Sequence, residues 1–217
     1  MDFKVDGKTV VVVGGGFECC RKIQSFLDSS VEIIVVSGEF SEGVKALAEQ
    51  GKIKLYQTCI RNAQEFVECL SPRPDVLLAV TNDSKLNAEL VRIAKRVGCM
   101  VYCASDPALS DFILPAVARV GAVRIAVSTG GKSPAVARLL RQRIEQLVTS
   151  EDLLEIELQV YLRKLLKDIV MDQRVRSRFL NEILNNISIK QALREGNLCM
   201  AKELSLKIVQ NKEATTT

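Results

Sequence analysis

The sequence predicts an α/β protein: a parallel sheet first, then a small α+β segment, then an all-helical end. Three observations predict it. Four valines, Val10 to Val13, run directly into Gly14-Gly15-Gly16 and a helical pattern. Short β-branched runs then alternate with helical segments as far as Phe112, the signature of βα units. From Ser150 onward only helical periodicity remains.

The chain has 217 residues, 47% of them hydrophobic and 5% aromatic, so an aliphatic core can form without disulfides. It contains seven cysteines and no histidine. The missing histidine excludes His-based triads, HExxH zinc sites and imidazole acid–base chemistry. No C-x-x-C pair occurs, and the cysteines fall mostly in apolar patterns, so they are expected as core filler rather than as a metal or redox site. No apolar run approaches a membrane span, and Met1-Asp2-Phe3-Lys4 lacks an apolar signal segment. A cytoplasmic protein without a membrane partner is therefore expected.

The first strand and its glycine turn match the G-x-G-x-x-G/A dinucleotide fingerprint of a Rossmann-type sheet. Gly14 makes the turn, Gly16 lets backbone approach a pyrophosphate, and Cys19 is small enough for close helix–strand packing. The helix is expected to run to about Leu27, with Gly15, Phe17 and the free N–H groups at its start beside the cofactor phosphates. Val31 to Val36 reads as the second strand. Ser37-Gly38 stands where an acidic residue often grips the adenosine ribose, so Ser37 is the candidate ribose contact and fits NAD or NADP. NAD is preferred because no arginine is adjacent for a 2′-phosphate.

A helix from Ser41 to Gln50 with Ser41 as N-cap, a strand from Ile53 to Tyr56 and a helix from Asn62 to Leu70 follow, before the loop Ser71-Pro72-Arg73-Pro74. Asp75 to Val80 is the fourth strand. Thr81 and Asn82 sit at its carboxyl end, as cofactor contacts or as capping residues. A helix from Lys85 to Val97 leads to a fifth strand, Met100 to Cys103, which ends in Ala104-Ser105-Asp106-Pro107 at the same ligand edge.

Ile113 to Val120 and Arg124 to Ser128 read as two strands around Gly121. Ser128-Thr129-Gly130-Gly131-Lys132-Ser133-Pro134 then opens a helix from about Ala135 to Val148, with Ser133 as N-cap and Pro134 at its first position. The run is either a cap alone or a cap plus an anion cradle, and its spacing is not that of a Walker A loop. Residues 113–149 carry Arg119, Arg124, Lys132, Arg138, Arg141 and Arg143 against Glu145 alone, which suits a polyanionic ligand. Nucleic acid is disfavoured, because no binding motif occurs and the net charge is only +4.

Helices are expected over Glu151 to about Met171, Arg174 to Asn186, Ser188 to Glu195 and Asn197 to about Gln210, with a disordered tail from Glu213 to Thr217. Apolar positions from Leu153 to Leu166 are dense enough to pack on more than one side. Arg174, Arg176 and Arg178 read as solvated charge or as carboxylate contacts.

With these elements placed, the chain resembles the siroheme-synthase N-terminal family, the precorrin-2 dehydrogenases that in some members are also sirohydrochlorin ferrochelatases. The resemblance covers about residues 5 to 150. It runs through Gly14-Gly15-Gly16 with Arg21-Lys22, Thr81-Asn82-Asp83 with Asn87, Asp106-Pro107, Asp111-Phe112-Ile113-Leu114-Pro115, and Ser128 to Pro134 followed by Arg138, Arg141 and Glu145. It implies an NAD-binding domain (1–112), a dimerisation region (113–149) and a helical C-terminal domain (150–217), assembled as a homodimer. It also implies the substrate precorrin-2, which carries eight carboxylates, with Arg119, Ser128, Lys132 and Arg138 as its contacts. The implied reaction is NAD-dependent dehydrogenation to sirohydrochlorin.

Two residues depart from the family pattern. The family commonly reads Asp-x-Pro where this chain has Ser105-Asp106-Pro107, so its acid–base carboxylate falls on Ser105. Serine cannot offer iron a carboxylate, which argues against chelatase activity and leaves sirohydrochlorin to a separate chelatase. Glu18 replaces an aliphatic residue beside the expected pyrophosphate. Three readings follow: a dehydrogenase without chelatase activity, with Ser105 and Asp106 as the candidate catalytic positions; a bifunctional enzyme using Asp106; and a non-catalytic NAD- or tetrapyrrole-binding module. No resident metal is expected.

Overall fold

The computed structural model describes residues 4–213 and divides into two compact units, 1–115 and 116–217. The expected disordered tail lies outside the described residues from position 214 on.

Unit one is a five-stranded parallel sheet. Its strands are β1 (Thr9–Val13), β2 (Glu32–Ser37), β3 (Lys54–Gln57), β4 (Val76–Ala79) and β5 (Met100–Cys103), in the spatial order β3-β2-β1-β4-β5. The helices are α1 (Phe17–Ile23), α2 (Glu42–Glu49), α3 (Ala63–Glu68) and α4 (Ser84–Arg96). Alternation along the strands divides the core into two layers. Val10 and Val12 pack with Cys19 and Ile23 of α1 and Val44 and Leu47 of α2. Val11 and Val13 pack with Ala63 and Val67 of α3 and Leu90, Val91 and Ala94 of α4. At the amino edge, Asp75 accepts from Lys8 Nζ at 2.8 Å and from Thr9 N at 2.9 Å, tying the starts of β1 and β4. The order reverses at β1, so the crevice between β1 and β4 opens at the carboxyl edge.

Several boundaries differ from expectation. Helix α1 stops at Ile23 instead of Leu27: Phe26 N bonds back three residues to Ile23 O at 2.8 Å, a tight turn that sends the Phe26 side chain into the core. Ser41 holds the N-cap position of α2, but its hydroxyl makes no capping bond and is buried without a partner. Its N–H is used instead, donating to Gly15 O at 2.8 Å. After β5 the chain turns through a one-turn 3-10 helix, Pro107–Leu109, and returns along the edge of β5. There Ser110 Oγ and Asp111 Oδ2 accept from the N–H groups of Cys103 and Val101, each at 2.9 Å.

Unit two begins with the antiparallel hairpin β6 (Ala116–Val120) and β7 (Val123–Val127), joined through Gly121, and continues with α5 (Pro134–Glu145). The strand expected from Ile113 starts only after Pro115, whose ring removes a ladder donor. Helix α5 ends at Glu145 rather than Val148. Helices α6 (Ser150–Ile169), α7 (Gln173–Asn185), α8 (Ile187–Arg194) and α9 (Leu198–Glu213) share a core of Leu158, Leu162, Leu166, Phe179, Ile183 and Leu193. Leu158, Leu162 and Leu166 recur every fourth residue and form the buried stripe of α6, while Ile156 and Val160 on another side stay exposed. Arg176 donates to the carbonyls of Val170 at 2.6 Å and Met171 at 2.9 Å, closing the α6–α7 turn. No helix among the described residues is long and apolar enough to cross a membrane.

Candidate functional site

The glycine turn is shaped by what surrounds it. Gly14 has φ +119°, and a Cβ there would stand 2.7 Å from the Val80 carbonyl oxygen. A Cβ on Gly15 would collide with the Glu39 carbonyl and approach Phe40 at 2.8 Å. Gly16 is different: it is exposed, nothing lies within 4 Å of an added Cβ, and it is the N-cap of α1 with no side chain to satisfy the first N–H groups. Protein packing therefore requires glycine at 14 and 15, while the face of Gly16 is left open to a ligand.

Beside this turn lies a crevice of about 230 Å³ at the carboxyl edge, walled by Val13, Gly14, Val36, Ser37, Gly38, Thr58, Cys59, Ile60, Thr81 and Leu86. It is smaller than the roughly 300–1,000 Å³ of whole small-molecule pockets. The structure brings Gly14, Ser37 and Thr81 together in its wall. Gly15 and Gly16 lie in the adjoining turn. Phe17, 81% exposed, and Asn82, also exposed, are not among the wall residues. The ends of β2 and β3 are locked together there: Thr58 N donates to Ser37 O at 3.0 Å, and Gln57 Nε2 donates to Gly38 O at 3.0 Å.

Glu18 is neutralised locally. Its carboxylate meets Arg21 at 2.6 Å and Lys22 at 3.5 Å. Partial burial pushes its pKa up, but the Arg21 hydrogen bond and the charges of Arg21 and Lys22 together hold it below the ordinary value. Lys22 also lies 4.6 Å over the Tyr102 ring.

The loops after β4 and β5 meet through Asn87, which is fully buried on α4. Its amide bonds the Thr81 backbone and hydroxyl and reaches Ser105 Oγ at 3.4 Å. Ser105 and Asp106 are both exposed at this edge, and Asp106 uses a carboxylate oxygen to accept from Ala108 N at 3.0 Å, capping the 3-10 turn. The sequence reading missed Asn87 as a structural hub. Its signal was a polar residue on the apolar Asn87-Leu90-Val91-Ala94 stripe. Thr58, Cys59 and Ile60 were missed as well, although they follow a strand at the ligand edge.

In unit two, Ser133 caps Val136 N at 3.3 Å, and Thr129 Oγ1 accepts from Ser133 N at 3.0 Å. Ser128 Oγ accepts from Gly130 N at 3.2 Å. Gly130 and Gly131 both have positive φ, and Lys132 and Arg138 are exposed. Arg119 on β6 stands opposite Arg124 on β7.

The cysteines are all free: Cys19, Cys99 and Cys103 are buried, and Cys59, Cys69 and Cys199 are exposed. No His, Cys, Asp and Glu group that could hold a metal ion occurs among the described residues.

A parallel sheet in this order, with a glycine turn opening on a crevice at the reversal point, defines a dinucleotide-binding protein of the doubly wound class. Residues 2–116 match the family model described as "Putative NAD(P)-binding", and residues 121–147 match "Sirohaem biosynthesis protein central". The chain belongs to the siroheme-synthase N-terminal family. The siroheme synthase of Nitrosococcus oceani is 35% identical over 144 residues, 66% of this chain and 30% of that protein. That of Methylococcus capsulatus is 32% identical over 183 residues, 84% of this chain and 37% of that one. The chain thus spans about a third of the length of these relatives. A Methanocaldococcus jannaschii protein named "Putative precorrin-2 dehydrogenase" is 29% identical over 88% of this chain and 91% of its own length. The structure of SirC, precorrin-2 dehydrogenase, superposes with a TM-score of 0.74 at 20% identity, over 95% of this chain and 98% of that one, and shares the fold.

Proposed function

We propose that the chain is a precorrin-2 dehydrogenase that converts precorrin-2 and NAD⁺ to sirohydrochlorin, NADH and a proton. The observation that carries this reading is the open face of Gly16 beside the reversal-point crevice, in a chain whose next segment matches the sirohaem central region. The residues fit a nicotinamide dinucleotide: Gly14 and Gly38 present bare backbone, Ser37 offers the ribose a hydroxyl, and no acidic or basic side chain lies in the wall. A bound nicotinamide would supply the hydride acceptor. The backbone of Gly16 and the start of α1 would approach the pyrophosphate, while Thr81 and Ser105 stand at the edge reached by the reacting ring. NAD is favoured over NADP because the crevice wall holds no cation for a 2′-phosphate.

In this reading residues 1–112 bind the nucleotide, 113–149 pair two chains as a homodimer, and 150–217 form the helical domain. Arg119, Ser128, Lys132 and Arg138 hold the carboxylates of the substrate, and orientation of this polyanion is the protein's main catalytic contribution. Chelatase activity is absent in this reading, since Ser105 has no carboxylate and one oxygen of Asp106 caps the 3-10 turn. A separate chelatase receives the product.

The test is anaerobic turnover of precorrin-2 with NAD or NADP supplied separately, following sirohydrochlorin absorbance. Formation with NAD, and no metal insertion into sirohydrochlorin by the same protein, is expected. Nucleotide binding without any turnover would leave the chain a binding module.

A further inference from the structure

Asn87 is one of three polar residues buried as a whole among the described residues, and its amide is fully used. Oδ1 accepts from Thr81 N at 3.1 Å and from Thr81 Oγ1 at 2.7 Å. Nδ2 donates to Thr81 O at 2.9 Å and to Ser105 Oγ at 3.4 Å. Two acceptor and two donor capacities are thereby filled. The reverse amide orientation would set two donors, Nδ2 and Thr81 N, against each other, so the network fixes the amide with Nδ2 toward Ser105.

Both ends hold Thr81, and Nδ2 also reaches the next loop at Ser105. Thr81 is part of the crevice wall, and Ser105 stands at the end of the neighbouring strand. Ser105 Oγ accepts from Asn87, so its own proton is free for another partner. Cys103 Sγ lies 3.4 Å away in a contact where either atom can donate, so the Ser105 proton is not committed to it and an oxygen on a ligand can take it.

We propose that Asn87 is a positioning residue: one buried amide sets the Thr81 backbone at the nucleotide crevice and orients the Ser105 hydroxyl to donate to an oxygen acceptor of the bound substrate. This inference rests on the dehydrogenase reading for its catalytic half, and on nucleotide binding alone for the other half.

The test is a double-mutant cycle of Asn87→Ala and Ser105→Ala, read in NADH dissociation constant, kcat and KM. Ser105→Ala is expected to lower kcat about fivefold, the scale of one lost hydrogen bond, with the NADH constant unchanged within about twofold. Asn87→Ala is expected to weaken NADH binding about fivefold and to lower kcat. In the Asn87→Ala background, Ser105→Ala should cost less than about twofold more, because the hydroxyl is no longer oriented. Equal cost in both backgrounds overturns the proposal, as does unchanged NADH binding in Asn87→Ala.

Should Asn87→Ala not fold, Asn87→Ser keeps a neutral polar group in the buried site without the amide that reaches Ser105. The same cycle then applies, and Ser105→Thr, which restores a hydroxyl, should recover turnover where Ser105→Ala does not. If the unmodified protein turns over no precorrin-2, the dehydrogenase reading fails by itself and NADH binding still decides the role of Asn87.

Discussion

The glycine turn allows the fold requirement and the ligand requirement to be separated by one methyl group at a time. In Gly14→Ala the new Cβ would lie 2.7 Å from the Val80 carbonyl oxygen, on backbone at φ +119°. Strain of that kind costs about 1–3 kcal/mol, and displacing packed backbone costs about 1–3 more. The sum, about 2–6 kcal/mol, is a large share of the roughly 5–15 kcal/mol that keeps a domain folded. For a unit of this size it lowers Tm by about 8 °C or more. Gly15→Ala meets the Glu39 carbonyl and should behave alike. Gly16→Ala meets nothing within 4 Å and has φ −84°, so its loss is only that of a weaker N-cap, about 1 kcal/mol or less. In the proposed binding mode its methyl group would occupy the face offered to the pyrophosphate, and NADH affinity should fall at least about tenfold. Calorimetry and fluorescence titration of the three variants check this. A Gly14→Ala protein with Tm within about 3 °C of the parent would refute the steric argument. A Gly16→Ala protein that binds NADH normally would refute the assignment of Gly16 as the point of approach.

Other substitutions probe the rest of the chain. Burial, with a smaller contribution from Cys20, pushes the Cys19 thiol up to about 12. At pH 8 thiol reagents should modify Cys59, Cys69 and Cys199, while Cys19 reacts only after unfolding. Because the folded value lies above the unfolded one, the contribution of Cys19 to stability is complete below about pH 9 and is lost as pH rises toward 12. Urea titrations should show about 1 kcal/mol less stability at pH 10 than at pH 8. An equal pH slope in Cys19→Ala would remove Cys19 as its cause. In the helical core, Leu162→Ala should cost about 2–5 kcal/mol by urea denaturation, against less than about 0.5 for the exposed Val160→Ala. Equal losses would contradict the buried stripe. Finally, Ser105→Asp places a carboxylate where Asn87 Nδ2 can donate to it, and metal insertion into sirohydrochlorin should become measurable. No gain would show that the missing carboxylate does not account for the proposed lack of chelatase chemistry.

How far the sequence could be read depended on the range of the interactions involved. The strands of the sheet were legible because valine and isoleucine runs bounded by turn residues are local signals, and the cap at Ser133 was legible for the same reason. The Ser41 position was legible, but its unbonded hydroxyl was not: what fixes that residue is a backbone bond to Gly15, 26 positions earlier by number, which no spacing rule contains. The end of α1 failed likewise, because the burial of Phe26 is a property of the assembled core.

At the candidate site, residue types suggested Gly14, Ser37 and Thr81, which do line one crevice, yet suggested Phe17 and Asn82 equally, which do not. Glycines and hydroxyl residues at strand ends suit turns and ligands alike, so only geometry separates these uses. The two departures from the family pattern show the same limit. Glu18 looked like an uncompensated charge beside a pyrophosphate, but Arg21 and Lys22, one helical turn away, take it up. Its replacement of an aliphatic residue thus adds an ion pair along α1 and leaves the glycine face clear. Ser105 looked like a missing carboxylate, yet it stands within reach of a buried amide that would serve a carboxylate equally well. The support for position 105 is thus present although its acid is not, and that makes Ser105→Asp a test of chemistry rather than of folding.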